Sequence, residues 1–263
     1  MTVYLLSVVN LKFDTSVAVG YKSASQVARV LTEDWLAKNM YCPICGNISI
    51  SRSKNNAPVK DFVCESCHSQ YELKSKRRNS DQFQSNVVDG VYKTMIERIS
   101  SLDNPSFFFM HYDRYEVNNL VVVPKCFFTP SVILKRTPLS DAARRARWEG
   151  CEILLKSIPL IAKIPIISNG VAQPQQEVMD QYDKVYKLQT QSVEARGWLM
   201  DILHLIERLD STFSLQNMYA FVDELKIKYP KNNHIQEKIR QQLQFLRDNE
   251  IIEFCGRGIY RKI

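Results

Sequence analysis

Three residues in the stretch Pro58–Lys76 carry the plainest chemistry in this chain: Asp61, Glu72 and Lys74. Short apolar-flanked runs at Val59–Val63 and Tyr71–Lys76 have the make-up of neighbouring strands. Residues two apart on a strand share a face, so Glu72 and Lys74 project together. Pairing of the two runs brings Asp61 to one end of that face. Two carboxylates beside an amine are costly unless a cation sits between them. A divalent metal on Asp61 and Glu72 resolves the repulsion and activates a water. Lys74 then positions that water or stabilises charge developing on a phosphate. The chemistry is metal-dependent phosphodiester hydrolysis. Alone the pattern is short, and an exposed charged strand gives the same letters.

Four cysteines bracket the stretch, as Cys42-Pro-Ile-Cys45 and Cys64-Glu-Ser-Cys67, with eighteen residues between the pairs. That spacing is the one expected of a four-cysteine zinc site. Each C-x2-C turn lets two thiolates reach one tetrahedral metal at about 2.3 Å. Gly46 suits the tight turn of a zinc knuckle. Buried free thiols or disulfides are the alternatives, and nothing else in the chain indicates an oxidising compartment. Four protein ligands close the site, so its zinc is structural. Asp61 lies three residues before Cys64, so the metal knot also holds the expected catalytic strand.

The elements that position these residues follow from the rest of the chain. Its 263 residues allow one or two domains, each with its own core. A net charge of +7 favours an anionic partner such as nucleic acid. Hydrophobic residues at 45% and charged ones at 24% are ordinary for a globular protein. No run approaches the roughly 18 apolar residues of a membrane span. The opening MTVYLLSVVNLKFDTSVAV has no basic leader, so an opening strand or extension is expected there, not a signal peptide. A cytoplasmic location is the expectation. Cys126, Cys151 and Cys255 are left over as plain core residues.

Ser23–Met40 has helical spacing in Val27, Val30, Leu31, Trp35 and Leu36, with Ser23 or Ser25 as cap. Glu33 on that helix is either a further metal-site carboxylate or part of a solvated acidic turn. Lys76, Arg77 and Arg78 continue from the site as a solvated loop or a phosphate contact. Val87–Leu102 has the spacing of a helix. Phe107–Met110 and Leu120–Val123 are continuous apolar runs, expected as buried strands, with Pro124 ending the second. In Pro130–Gly150, Arg144, Arg145, Arg147 and Trp148 combine cations with an aromatic, which suits phosphate and base contact; a basic helix with a buried Trp fits equally. Cys151–Leu155 and Ile164–Ile167 are two further strands. Ser168–Gln191 is polar and turn-rich and marks a connector. Domains are therefore expected at 1–191 and 192–263.

The last block has three helices, Ala195–Leu209, one opening at Ser214 and ended by Pro230, and Asn232–Asn249. Ile251–Phe254 and Ile259–Ile263 then flank Gly256-Arg257-Gly258 as a hairpin. Three helices followed by a two-stranded wing make a winged helix, whose third helix enters a major groove by its N-terminal residues. These are Asn232, Asn233, His234, Gln236 and Glu237, followed by Lys238, Arg240 and Gln241, with Arg257 on the wing reaching phosphate or a groove. Residues 192–263 hold 11 Lys+Arg against 10 Asp+Glu, and that evenness keeps a protein-binding winged helix open.

From about Tyr21 onward the sequence resembles the DpnI family of methyl-directed, N6-methyladenine-dependent Type IIM restriction endonucleases. RVLTEDW, YCPICGN, PVKDF, ELKSK, DNPSFFF, ARRARWEGC, RGW and YPKNNHIQEKIRQQLQFLRDNEIIEF carry the resemblance. It implies an α/β fold: a PD-(D/E)xK nuclease core with an embedded four-cysteine zinc site, plus a C-terminal, helix-rich winged-helix domain. It implies Mg²⁺-dependent, blunt cleavage of double-stranded DNA at GATC carrying N6-methyladenine, read by both domains. Catalysis falls to Asp61, Glu72 and Lys74. Magnesium falls to Asp61, Glu72 and the Leu73 carbonyl, and zinc to Cys42, Cys45, Cys64 and Cys67. Trp148 becomes a candidate for the methyl contact. A monomer with no membrane partner is expected. The alternative is a non-catalytic zinc-containing winged-helix DNA-binding protein, and a third is an RNA-processing nuclease with the same site.

Overall fold

Helix α1 (Ala24–Asn39) turns Leu31, Trp35 and Leu36 inward, as its apolar spacing requires, and Trp35 Nε1 donates to the Asn10 carbonyl at 2.7 Å. A computed structural model gives this architecture for residues 9–53, 61–83, 85–101, 104–189 and 192–263. Ser23 stands at the N-cap of α1 but makes no capping bond; its hydroxyl meets that of Ser25 at 2.9 Å.

Strands β1 (Ile50–Arg52), β2 (Phe62–Cys64) and β3 (Gln70–Arg77) follow, antiparallel in sequence. Of the expected strand Val59–Val63, Val59 and Lys60 lie outside the described residues. Lys76 and Arg77 continue β3, so the basic run is strand as far as Arg77, and Arg77 pairs with Asp113 at 3.4 Å. Next come β4 (Val87–Val91) and α2 (Tyr92–Ser100). Val87–Leu102 is thus not one helix. β-Branched Val87, Val88 and Val91 with Gly90 favour extended backbone, and a distant strand supplies the ladder.

Strands β5 (Ser106–Asp113) and β6 (Glu116–Val123) form the apolar centre, with Phe107, Phe108 and Val122 fully buried. Beyond Pro124 lie β7 (Ile133–Lys135), β8 (Gly150–Ile153), β9 (Ile164–Ser168) and β10 (Val171–Ala172). One sheet runs β1-β2-β3-β5-β6-β9-β10. It is mixed: β3 and β5 pair in parallel, joined by a crossover long enough for such a connection. A separate sheet runs β4-β8-β7. The segment between β7 and β8 is no basic helix but a closed loop. Leu139 N donates to the Trp148 carbonyl, and Arg147 N to the Leu139 carbonyl, both at 3.0 Å.

The expected connector at Ser168–Gln191 instead holds β10 and helix α3 (Gln175–Tyr186). Val178, Tyr182 and Val185 form its buried stripe, hidden in the sequence by Gln, Glu and Asp. Tyr182 Oη sits 2.8 Å from Ser106 Oγ.

The chain forms two compact units, Met1–Asp183 and Lys184–Ile263. The second contains α4 (Val193–Glu207), β11 (Thr212–Ser214), α5 (Leu215–Tyr219), α6 (Val222–Lys228), α7 (Ile235–Asp248), β12 (Ile252–Gly256) and β13 (Ile259–Lys262). Ser214 does open a helix, through a capping box with Asn217. That helix is split at Ala220–Phe221, and a third strand, β11, joins the hairpin in the order β11-β13-β12. Trp198, Ile202, Met218, Ile239 and Leu243 build the core, and Trp198 stacks on Tyr229 at 3.8 Å. Among the described residues no helix is long and apolar enough to cross a membrane.

Candidate reaction centre and four-thiol cluster

Strand β3 positions the charged residues. Asp61 stands just before β2, where its N–H donates to the Tyr71 carbonyl at 3.1 Å. Its Oδ2 accepts from the Leu73 N–H at 2.9 Å. Leu73 therefore meets Asp61 through its amide hydrogen. Glu72 and Lys74, two apart, share a face, and Lys74 Nζ contacts Glu72 Oε1 directly. Lys74 has a second partner that sequence reasoning missed: Asp89 Oδ1, at 2.6 Å. Asp89 sits on β4, and the misplaced helix had concealed it. Its register partner on β8 is Cys151.

These groups are well shielded. Side-chain exposure is 9% for Glu72, 11% for Asp89 and 16% for Lys74. Burial pushes the Glu72 carboxyl up, Lys74 opposes this, and the negative charges of Asp89 and Asp61 add to it. Burial would lower the Lys74 ammonium, but Glu72 and Asp89 outweigh it and hold the group above its ordinary value. Glu33 on α1 lies close enough to feel Asp61. Its carboxyl is raised first by burial, with Arg29 opposing and Asp61 adding.

Glu72 Oε2 and Asp89 Oδ2 are both buried without a hydrogen-bond partner. Buried carboxylate oxygens without donors are costly, and the one ammonium in contact is shared by Glu72 and Asp89, with the Asp61 charge adding to that on Glu72. The residues therefore fit a hard divalent cation with oxygen ligands. Mg²⁺ commonly takes only one or two carboxylates, with water completing its shell.

The cysteines converge more tightly. All four sulfurs lie within 4.8 Å of one another. Cys42 and Cys67 are 3.6 Å apart, and Cys45 and Cys64 3.5 Å. Zn–S bonds of about 2.3 Å at tetrahedral angles put sulfurs ~3.8 Å apart, so the cluster fits zinc. The four are free thiols, not disulfides. The two knuckles repeat one geometry. Gly46 N and His68 N donate to the carbonyls of Cys42 and Cys64 at 2.9 and 3.0 Å, and both residues have positive φ (72° and 59°). Burial pushes the Cys42 and Cys64 thiols up. Burial acts upward on Cys67 too, but the Ser69 hydroxyl and amide and the neighbouring thiols bring it to about 7. Tyr71 Oη lies 2.9 Å from Cys42 Sγ, which ties the cluster to β3. Of the remaining cysteines, Cys126 and Cys151 are buried; Cys255 is exposed at the hairpin and is not a core residue.

Arg144, Arg145 and Arg147 are exposed on the β7–β8 loop, and Arg147 pairs with Asp141 at 2.9 Å. Trp148 is half-buried. Its ring lies against Gly150, where an added Cβ would stand 2.7 Å from the indole carbons. In the second unit, Asn232, Asn233 and His234 precede α7 instead of forming its first turn, and Asn232 Oδ1 accepts from His234 N at 2.8 Å. Gln236, Glu237, Arg240 and Gln241 are exposed on α7, while half-buried Lys238 donates to Gln241 Oε1 at 2.8 Å. Arg257 is exposed at the hairpin turn, where residues 256–258 all have positive φ.

The first unit thus sets an acid–lysine centre on a mixed sheet, and the second is a helical unit that ends in a hairpin. A family model described as DpnI, the Dam-replacing family, matches residues 9–191, and one described as the Dam-replacing HTH domain matches residues 194–262. The chain belongs to the DpnI family. Membership indicates a restriction endonuclease, methylation-dependent in its action, that binds DNA through its helix-turn-helix domain.

Proposed function

We propose that the protein is a Mg²⁺-dependent Type II endonuclease that cuts double-stranded DNA at GATC carrying N6-methyladenine. Residues 1–191 act as a PD-(D/E)xK nuclease domain and residues 192–263 as a winged-helix reader. The observation that carries the reading is the buried, unpartnered Glu72 Oε2 beside Lys74. Asp61, Glu72 and the Leu73 carbonyl hold the ion, which supplies a water of lowered pKa and neutralises phosphate charge. The Leu73 N–H fixes one oxygen of Asp61 and leaves the other for ligation. Lys74, kept charged by its two carboxylates, donates to the attacking water or to the phosphate oxygen where charge develops. Zinc on Cys42, Cys45, Cys64 and Cys67 braces the turn that delivers Asp61. Trp148 contacts a methyl group and Arg144, Arg145 and Arg147 the backbone. On the winged helix, Asn232, Asn233, His234, Lys238, Arg240 and Gln241 meet the groove and Arg257 a phosphate.

The test is incubation of methylated and unmethylated plasmid with Mg²⁺. Wild type is expected to fragment only the methylated one; Asp61→Ala and Lys74→Ala are expected to bind it without cutting. Binding without cutting by wild type would establish the alternative, a non-catalytic zinc-containing winged-helix protein. Cutting by either variant would refute the residue roles.

A further inference from the structure

Lys74 is held by two carboxylates from two different sheets. Glu72 is its neighbour on β3, while Asp89 reaches it from β4. The Asp89 carboxylate is itself fixed, because Oδ1 also accepts from the Gly90 N–H at 2.7 Å. The strand is irregular at this point. A register shift between Asp89 and Val91 breaks the β4–β8 ladder, which pairs Asp89 with Cys151 and Val91 with Gly150. Bulges of this kind re-aim a side chain next to active sites. Glu72 and Asp89 cannot serve the lysine in the same way. Under the nuclease reading, on which this inference rests, Glu72 turns its charge to a metal ion, and the lysine then has one anchoring anion left.

We propose that Asp89 is the positioning residue of Lys74, holding its ammonium in line from the second sheet while Glu72 serves the metal. Asp89 neither ligates the ion nor touches substrate. Misplacing a reacting group by about 1 Å costs roughly a hundredfold in rate. Loss of the anchor should therefore appear in the cleavage step and not in binding.

Three measurements on the full-length, zinc-loaded protein test this. Single-turnover cleavage of a methylated duplex at saturating Mg²⁺ is expected to fall roughly a hundredfold in Asp89→Asn. Binding of the same duplex in Ca²⁺ is expected to match wild type. Mn²⁺ affinity, read by electron paramagnetic resonance of the free ion, is expected to match wild type as well. Asp89→Glu, which keeps the charge, is expected to recover part of the rate. Cleavage by Asp89→Asn at the wild-type rate would overturn the proposal. So would a loss of Mn²⁺ affinity of tenfold or more, the size expected when a metal site loses a supporting group. Should Asp89→Asn fail to fold, Asp89→Ser is judged by the same criteria. A wild-type protein that leaves methylated DNA intact would instead sink the nuclease reading.

Discussion

Tyr71→Phe separates a zinc site from four adjacent thiols. Tyr71 is fully buried and its ring packs on Phe108 with centroids 5.1 Å apart, so the substitution keeps the ring and opens no cavity. What it removes is the hydroxyl 2.9 Å from Cys42 Sγ. With zinc bound, Cys42 is a thiolate in a site where burial alone would keep it protonated, and the hydroxyl donates to that charge. A hydrogen bond to a charged group contributes about 1.5–3 kcal/mol. Loss of an outer-shell partner lowers metal affinity roughly 10- to 100-fold, which converts to about 1.4–2.7 kcal/mol. The two estimates agree, so zinc affinity should drop roughly 10- to 100-fold, read by competition with a chromophoric chelator. Cleavage at saturating zinc should stay near wild type, because Tyr71 and Glu72 face opposite sides of β3. Unchanged affinity would refute the reasoning: Cys42 would then carry no charge for the hydroxyl to stabilise.

Cys64→Ser should release zinc and lower the melting temperature, as loss of a structural metal does, and added Mg²⁺ should not restore it; a normal melt with normal activity would remove the structural role. Trp148→Ala should narrow the preference for methylated over unmethylated duplex in Ca²⁺ by about fourfold for each methyl it covers, since one buried methyl contributes about 0.8 kcal/mol. A preference that does not move would place methyl reading elsewhere.

Residues whose partners are close in sequence were legible; those with remote partners were not. The C-x2-C pairs fix their own turns, so the converging thiols follow from spacing alone. Asp61, Glu72 and Lys74 lie within fourteen residues of chain, and β2 and β3 pair locally, Phe62 opposite Tyr71. Asp89 failed this test. Val87, Val88, Val91, Met95, Ile96 and Ile99 satisfy a helical period, and nothing local shows that the first five residues pair with β8, whose Gly150–Ile153 lie about sixty positions later. Long-range pairing overrode local periodicity there. Helix α3 failed for a different reason: Val178, Tyr182 and Val185 are too few, among polar residues, to outweigh the turn signals before them.

The alternation of β3 explains why the thiol cluster and the reaction centre occupy one segment. Tyr71 turns to Cys42, while Glu72 and Lys74 turn the other way to Asp89. Asp61 closes the arrangement, its amide on Tyr71 and its carboxylate on Leu73. A shift of β3 by one residue would exchange its two faces, setting Glu72 against the sulfurs and Tyr71 among the acids. Each side therefore enforces the register of the other. On the proposed reading, zinc on the four thiols beside the acids is a direct way to hold a strand that must carry a buried, net-negative centre before any cation arrives.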